Sequence, residues 1–377
     1  MTSVVIAGYA RSPFHLAGKG ALARTRPDDL AAAVVRALVE RTGVDPSAIE
    51  DLVLGCAFPE GEQGLNVARM IGLIAGLPLN TGGMTVNRFC GSSMSAVHYA
   101  AGQIALGAGE VFIAAGVESM SRVPMQGFNP LPNPALAKTS SAYIPMGDTA
   151  ENLASRYGID RATQEAFAVD SQRKAAGAMT AGKLADEIVP ISTKAGLVDT
   201  DGCPRPSTTA EALAALKPAF SANGSVTAGT SSPLTDGASA VLVTSESYAR
   251  EHGLVPLARI LSVAVAGCAP EIMGIGPVAA TRKALKRAGL TMDQIDIVEL
   301  NEAFAAQALA CIADLGIREE TLNIDGGAIA LGHPLGATGA RITGKAASLL
   351  KREGARYALA TQCIGGGQGI ATILERI

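Results

Sequence analysis

The chain of 377 residues reads as an α/β protein built from two duplicated halves. Each half is a βαβαβ-type sheet covered by helices, the two are related by a pseudo-twofold axis, and a looser inserted domain lies between them. Three observations predict this. Strand-like and helix-like segments alternate along the chain. A helix, glycine, turn and strand recur in the second half in the order they had in the first. Between about Ser119 and Thr230 the pattern loosens, and Pro and Asn gather in one stretch. The units are therefore 1–118 together with 231–250, then the insert 119–230, then 251–377.

The elements follow in order. Val4 to Gly8 is apolar and ends in small residues, which reads as a strand and turn. Asp28 to Glu40 is an Ala-rich amphipathic helix, followed by Gly43-Val-Asp-Pro-Ser-Ala-Ile49 and a strand from Asp51 to Gly55. Met94, Val97, Ala101 and Ile104 recur at helical spacing, and Gly109 to Gly116 is a further apolar strand. In the insert, Pro124 to Pro134 is irregular, and Asp160 stands as an N-cap for a helix from Arg161 to Met179. The second half repeats the order: a strand from Arg259 to Gly267, a helix from Val278 to Arg287, then Gly289 to Ile295 and a strand from Ile297 to Asn301. Gly43 aligns with Gly289 and Ile49 with Ile295, and a last apolar strand runs from Gly354 to Thr361. The alternation predicts mainly parallel pairing in two sheets, with the insert covering a binding site.

Composition excludes several functions. With 31 Lys and Arg against 34 Asp and Glu the net charge is −3, and no dense basic cluster offers a nucleic-acid surface. No run of about 18 apolar residues would span a bilayer. The six cysteines show no CxxC pair and no metal-ligand spacing with the four histidines, so neither a disulfide framework nor a metal site is expected. The N-terminus lacks the charged and apolar regions of a secretory signal, which predicts a reducing, cytoplasmic setting. Glycine is the outlier, at 43 of 377 residues.

Four glycine-punctuated segments place reactive side chains where a strand gives way to a helix or loop. In Val86-Asn-Arg-Phe-Cys90-Gly-Ser-Ser-Met-Ser95, Cys90 falls at a helix N-terminus, where unpaired N–H groups and the dipole are expected to lower a thiol's pKa. In Gly326 to Arg341 five glycines surround His333 ahead of another helix. In the repeat register this segment lies opposite Cys90, so the pseudo-twofold axis brings an imidazole toward the thiol, a pairing that activates cysteine nucleophiles. Thr361-Gln-Cys363-Ile-Gly-Gly-Gly-Gln-Gly369 puts a second cysteine at a strand end beside glycine N–H groups able to hold an oxyanion. Asn301 ends a strand, where its amide can position water or a carbonyl. Taken singly, each has a plainer reading: a buried structural cysteine, a packed histidine, a flexible turn, a turn asparagine.

Across essentially the whole chain the sequence resembles the thiolases, and among them the degradative 3-ketoacyl-CoA thiolases of fatty-acid β-oxidation. The matching runs are VNRFCGSSM, GVESMSRVPM, MGDTAENLA, VTAGTSSPLTDGA, NEAFAAQ, GGAIALGHPLGATGAR and CIGGGQG. The resemblance implies a layered αβαβα core and thiolysis of a 3-ketoacyl-CoA by CoA through an acyl-cysteine, with CoA as substrate and no prosthetic group. It assigns Cys90 as nucleophile, His333 as its base and Cys363 as acid/base on the acetyl carbon. Asn301, through a water, and His333 form one oxyanion hole, and the N–H groups of Cys90 and Gly365 the other. For CoA it points to Ser232, to Arg205 along the adenine and to Met146 in the pantetheine tunnel. It also implies a homodimer or homotetramer, which some bacterial relatives extend with a hydratase/dehydrogenase subunit.

Short-chain biosynthetic thiolases carry His-Met-Gly where this chain has Pro145-Met-Gly147, and Asn where it has Thr230, and their insert is longer. These departures favour longer acyl chains over acetoacetyl-CoA. A β-ketoacyl synthase would want a second histidine in place of Asn-Glu-Ala-Phe-Ala305 and would lack the CIGGG run. An inactive acyl-CoA-binding scaffold would have lost at least one of Cys90, Asn301, His333 and Cys363, and all are present. A dinucleotide-binding oxidoreductase would show GxGxxG after the first strand, which is absent.

Overall fold

The computed structural model describes residues 2–377. The first half runs β1 (Val4–Arg11), a two-residue β2 (His15–Leu16), α1 (Pro27–Thr42), β3 (Asp51–Gly55), α2 (Val67–Ala75), β4 (Gly82–Val86), α3 (Ser92–Leu106) and β5 (Val111–Ser119). The insert holds α4 (Pro134–Thr139), α5 (Met146–Tyr157), α6 (Arg161–Thr180), the hairpin β6 (Ile191–Thr193) and β7 (Gly196–Val198), and α7 (Ala210–Ala214). The chain then forms β8 (Thr235–Ser245) and α8 (Glu246–Glu251). The second half contains β9 (Ala258–Gly267), α9 (Gly276–Ala288), β10 (Ile297–Leu300), α10 (Ala305–Leu315), α11 (Ala328–Leu331), α12 (Leu335–Arg352), β11 (Tyr357–Ile364) and β12 (Gln368–Glu375).

The internal repeat is physical. Gly43 and Gly289 both cap a helix in the left-handed region at φ 68°, where glycine alone carries no Cβ penalty. Ile49 and Ile295 both follow a short 3-10 turn and are buried beneath it. Asp160 accepts from Thr163 N and starts α6, as its position before Arg161 predicts.

Three apolar layers define the architecture. α1 and α2 pack Leu30, Val34, Leu38 and Ile71 on one face of the first-half strands. α9 and α10 pack Val278, Leu285 and Leu315 on the outer face of the second-half strands. Between them α3 and α12 fill the middle, where Met94, Val97, Ile342 and Leu350 meet strands of both halves. The order helix, sheet, helix, sheet, helix is the layered αβαβα core. Because α12 is covered on both sides it has no solvent face: only Ser348, Lys351 and Arg352 of its residues escape burial. Its two buried cations are paired, Arg341 with Glu299 at 3.0 Å and Lys345 with Asp325 at 2.7 Å and with Glu187 of the insert at 2.9 Å. Glu187 also meets Arg11 of β1 at 2.7 Å, so one buried ion network ties insert and both halves together.

Two expectations need correction. The pairing is mixed: β4–β3, β3–β5 and β10–β11 are parallel, whereas β5–β8, β8–β1, β11–β12 and β12–β9 are antiparallel. The connections explain it. A three-glycine turn between β11 and β12 is too short for a parallel crossover, and β8 returns from the insert to slot between β5 and β1. Nor are the two sheets separate at their edges. Val5 pairs with Arg259 and Ile6 with Ala258, joining the strands into one ten-stranded array ordered β10-β11-β12-β9-β1-β8-β5-β3-β4 with β2 on β8.

Candidate active site

Cys90 sits two residues before α3, in a turn closed by Gly91 N to Arg88 O at 2.9 Å and Ser92 Oγ to Phe89 O at 2.6 Å. Phe89 takes φ 44°, a strained value for a non-glycine residue, and the turn's side-chain bonds hold it there. From the second half, Gln362 Nε2 donates to the Cys90 carbonyl at 2.6 Å and Gln368 Oε1 accepts from Arg88 at 2.9 Å. These bonds fasten the Cys90 turn to the end of β11, which carries Cys363, and to the β11–β12 turn, which carries Gly365.

His333 lies between α11 and α12. Its backbone N donates to Thr235 Oγ1 at 3.1 Å, its Nδ1 contacts Thr338 Oγ1 at 2.6 Å, and its Nε2 faces Asn301 Nδ2 at 3.4 Å. Asn301 is fully buried at the end of β10, anchored by its N–H to Thr361 O at 3.0 Å, and its Oδ1 has no partner. Cys363 is buried on β11 opposite Gly369 of β12.

Cys90, His333, Cys363, Gly365, Met146 and Ser232 open on one cavity of about 590 Å³. The walls are apolar. Phe58, Phe89, Phe304 and Leu335 come from the two halves, and Met120, Met125, Leu131, Tyr143, Ile144 and Phe220 from residues 119–230. Asn301 stands behind His333 rather than on the wall. Arg205 is exposed and outside the lining, its N–H bonded to Gln172 Oε1 at 2.7 Å.

The expected depression of the thiol pKa does not survive the tertiary structure. Burial pushes Cys90 up to about 12, and the N–H groups of Gly365 and of Cys90 itself only partly offset it. Cys363 is likewise held well above the usual thiol range by burial and by the charge of Cys90. Burial, aided by Arg341, lowers His333 to about 3. The resting pair is therefore a neutral thiol and a neutral imidazole, because desolvation outweighs the N–H groups that favour the thiolate.

Glycine placement is also more specific than bulk composition suggests. Gly365 and Gly366 line the cavity. Most of the others permit close packing of protein on protein: a Cβ on Gly339 would lie 2.3 Å from Met94 N, one on Gly116 2.2 Å from Gly336 O, and one on Gly55 2.1 Å from Ser93 N. They let α3 and α12 press against each other and against the strands, and so bring Cys90 and His333 to one place.

Sequence reading missed three supporting side chains. Gln362 and Thr338 are described above. Glu118 accepts N–H groups from Ala57 at 2.8 Å and Gly336 at 2.9 Å and holds Gln63 Nε2 at 2.8 Å, tying the α12 start to the β3 end, although burial raises its pKa. A charged residue closing the apolar strand Val111 to Ser119, and a glutamine inside buried β11, were the available signals.

Two cysteines, an imidazole and backbone N–H groups on one apolar-walled cavity make up the chemistry of acyl transfer through a thioester. The thiolase N-terminal domain model matches residues 4–247 and the thiolase C-terminal domain model residues 254–376, and the chain belongs to the thiolase family. It is 48% identical to the 3-ketoacyl-CoA thiolase of Bacillus subtilis (strain 168), with both chains covered in full. It is 50% identical to the 3-ketoacyl-CoA thiolase of Cronobacter sakazakii, again over the full length of both. The crystal structure of human mitochondrial 3-ketoacyl-CoA thiolase in complex with CoA matches with a TM-score of 0.93 at 38% identity, covering 100% of this chain and 98% of that one.

Proposed function

We propose that the protein cleaves 3-ketoacyl-CoA with CoA, yielding acetyl-CoA and an acyl-CoA two carbons shorter, in the degradative direction of fatty-acid β-oxidation. The observation that carries this is the convergence of Cys90, His333, Cys363 and Gly365 on one apolar-walled cavity. His333 Nε2 takes the Cys90 proton as the thiol adds to the substrate ketone, so the thiolate exists only as it is consumed. Asn301, through a water, and His333 form one oxyanion hole, and the N–H groups of Cys90 and Gly365 the other. The C2–C3 bond breaks to leave an acyl-Cys90 and an acetyl-CoA enolate, which Cys363 protonates on carbon. Free CoA then takes the acyl group, completing a ping-pong cycle.

CoA enters as a substrate. Ser232 and Met146 contact its pantetheine arm and exposed Arg205 its adenine end, with residues 119–230 forming the covering domain between the units 1–118 with 231–250 and 251–377. The apolar wall supports an acyl tail longer than acetoacetyl. The protein acts as a homodimer or homotetramer. That is supported by the open edge strand β4 and, beside it, the exposed Leu65, Met70, Leu73, Ile74 and Leu79. Among the described residues no helix is long and apolar enough to cross a membrane. A nucleophile that must remain a thiol supports a reducing, cytoplasmic setting. The test is kcat/KM for thiolysis of C4 to C16 3-ketoacyl-CoAs: a rise beyond C4 is expected, and a clear C4 optimum refutes the longer-chain assignment.

A further inference from the structure

On the thiolase reading, His333 has two duties that demand opposite states of Nε2. It must be unprotonated to take the Cys90 proton and protonated to donate to an oxyanion. What serves Nδ1 therefore decides whether the cycle can start. Among the described residues the side chain that meets Nδ1 is Thr338, at 2.6 Å. Thr338 is fully buried in the first turn of α12. A threonine in a helix ordinarily turns its hydroxyl back to the carbonyl four residues earlier. Thr343 of the same helix does so, to Gly339 O at 2.7 Å. For Thr338 that carbonyl belongs to Pro334, which instead accepts Ala337 N at 2.7 Å, and the hydroxyl goes to the imidazole. On the other side of the ring, the atom facing Nε2 is Asn301 Nδ2, which can only donate. In this arrangement Nε2 would accept and Nδ1 would carry the ring hydrogen, facing Thr338 Oγ1.

We propose that Thr338 is a positioning residue that holds His333 in the Nδ1–H tautomer, leaving Nε2 free as the base. Thr338 Oγ1 accepts the Nδ1 hydrogen both in the neutral ring and in the imidazolium, so the bond persists through the cycle. An apolar group in its place would leave the tautomer unspecified.

The test compares Thr338→Val, Thr338→Ser and Thr338→Ala in the full chain. The first readout is long-range proton–nitrogen correlation NMR on protein labelled at its four histidines, with His333→Asn assigning the His333 signal. The second is steady-state thiolysis. Wild type should show His333 protonated on Nδ1, and Thr338→Val a mixture of tautomers. Thr338→Val should lose about 10- to 100-fold in kcat, with KM within about threefold, while Thr338→Ser stays within about threefold of wild type in both. If Thr338→Val does not fold, the Ala and Ser variants are compared by the same criteria. Wild-type His333 protonated on Nε2 overturns the proposal, as does a folded Val or Ala variant with unchanged tautomer and kcat. Should wild type cleave no 3-ketoacyl-CoA, the functional reading fails, and the tautomer measurement still decides the role of Thr338.

Discussion

Gly339→Ala adds one methyl group at the crossing of α3 and α12, the helices that follow Cys90 and His333. The new Cβ would stand 2.3 Å from Met94 N, 2.7 Å from Met94 Cβ and 2.9 Å from Met94 Cα, against 3.4 Å for ordinary contact. Two of those atoms are backbone, so no rotamer change relieves the clash, and the helices must separate by about 1 Å. Both are confined between sheets of the two halves, so the separation is passed on to the turns that carry the thiol and the imidazole. Alanine gains about 1 kcal/mol of helix propensity over glycine, and overpacking costs about 1 to 3 kcal/mol. Net stability should therefore fall by no more than about 2 kcal/mol. Activity should suffer more, because a displacement of about 1 Å between reacting groups costs about 100-fold in kcat. Gly102→Ala is the control: it lies in the same α3 with nothing within 4 Å of the added methyl, and it should raise stability with kcat unchanged. Urea unfolding and thiolysis assays on both variants read the two quantities. Gly339→Ala with kcat within threefold of wild type would refute the claim that this contact sets the distance between Cys90 and His333.

Three further outcomes follow from the same structure. Cys90→Ala should abolish turnover, whereas Cys363→Ala should still accept an acyl group but lose exchange of acetyl protons with solvent, measured by deuterium uptake; undiminished exchange removes Cys363 from its acid/base role. Burial lowers His98, like His333, to about 3, so each contributes stability that is present above about 6.5 and is lost as pH falls toward 3. Each loss runs at about 1.4 kcal/mol per pH unit, and His98→Gln should flatten the fall in urea midpoint between pH 6.5 and 4 by one proton's worth; an unchanged slope rules it out. Glu187→Gln leaves Arg11 and Lys345 with one carboxylate each instead of two, and should cost about 3 kcal/mol. A change under 0.5 kcal/mol by denaturant titration would show that the buried network does not secure the insert.

Much of this was legible because local chemistry and global fold agree. Gly43 and Gly289 end helices because only glycine enters the left-handed region without penalty, and that demand is written in the residue itself. Asp160 announces α6 for a similarly local reason. Sheet pairing was less legible. Nothing in Thr235 to Ser245 says that this strand runs between β1 and β5, since an all-buried apolar strand pairs in either direction, and the choice is made by where the insert returns the chain. The site divides along the same line. Cys90, His333, Cys363 and Asn301 stood out as reactive residue types in glycine-punctuated segments, although His333 lies between two helices and not at a strand end. Thr338, Gln362 and Glu118, by contrast, are ordinary residues whose importance lies only in what they touch across the fold.

By itself the sequence determined the duplicated α/β plan, the reactive side chains and their order along the chain, because periodicity, caps and residue chemistry act over a few residues. The tertiary structure alone decided the protonation states. The same thiol that a helix start would acidify is pushed up to about 12, and the imidazole down to about 3, by desolvation at a cavity whose walls come from residues far apart in the chain. Desolvation depends on everything within several ångströms of an atom, and no stretch of sequence contains that neighbourhood.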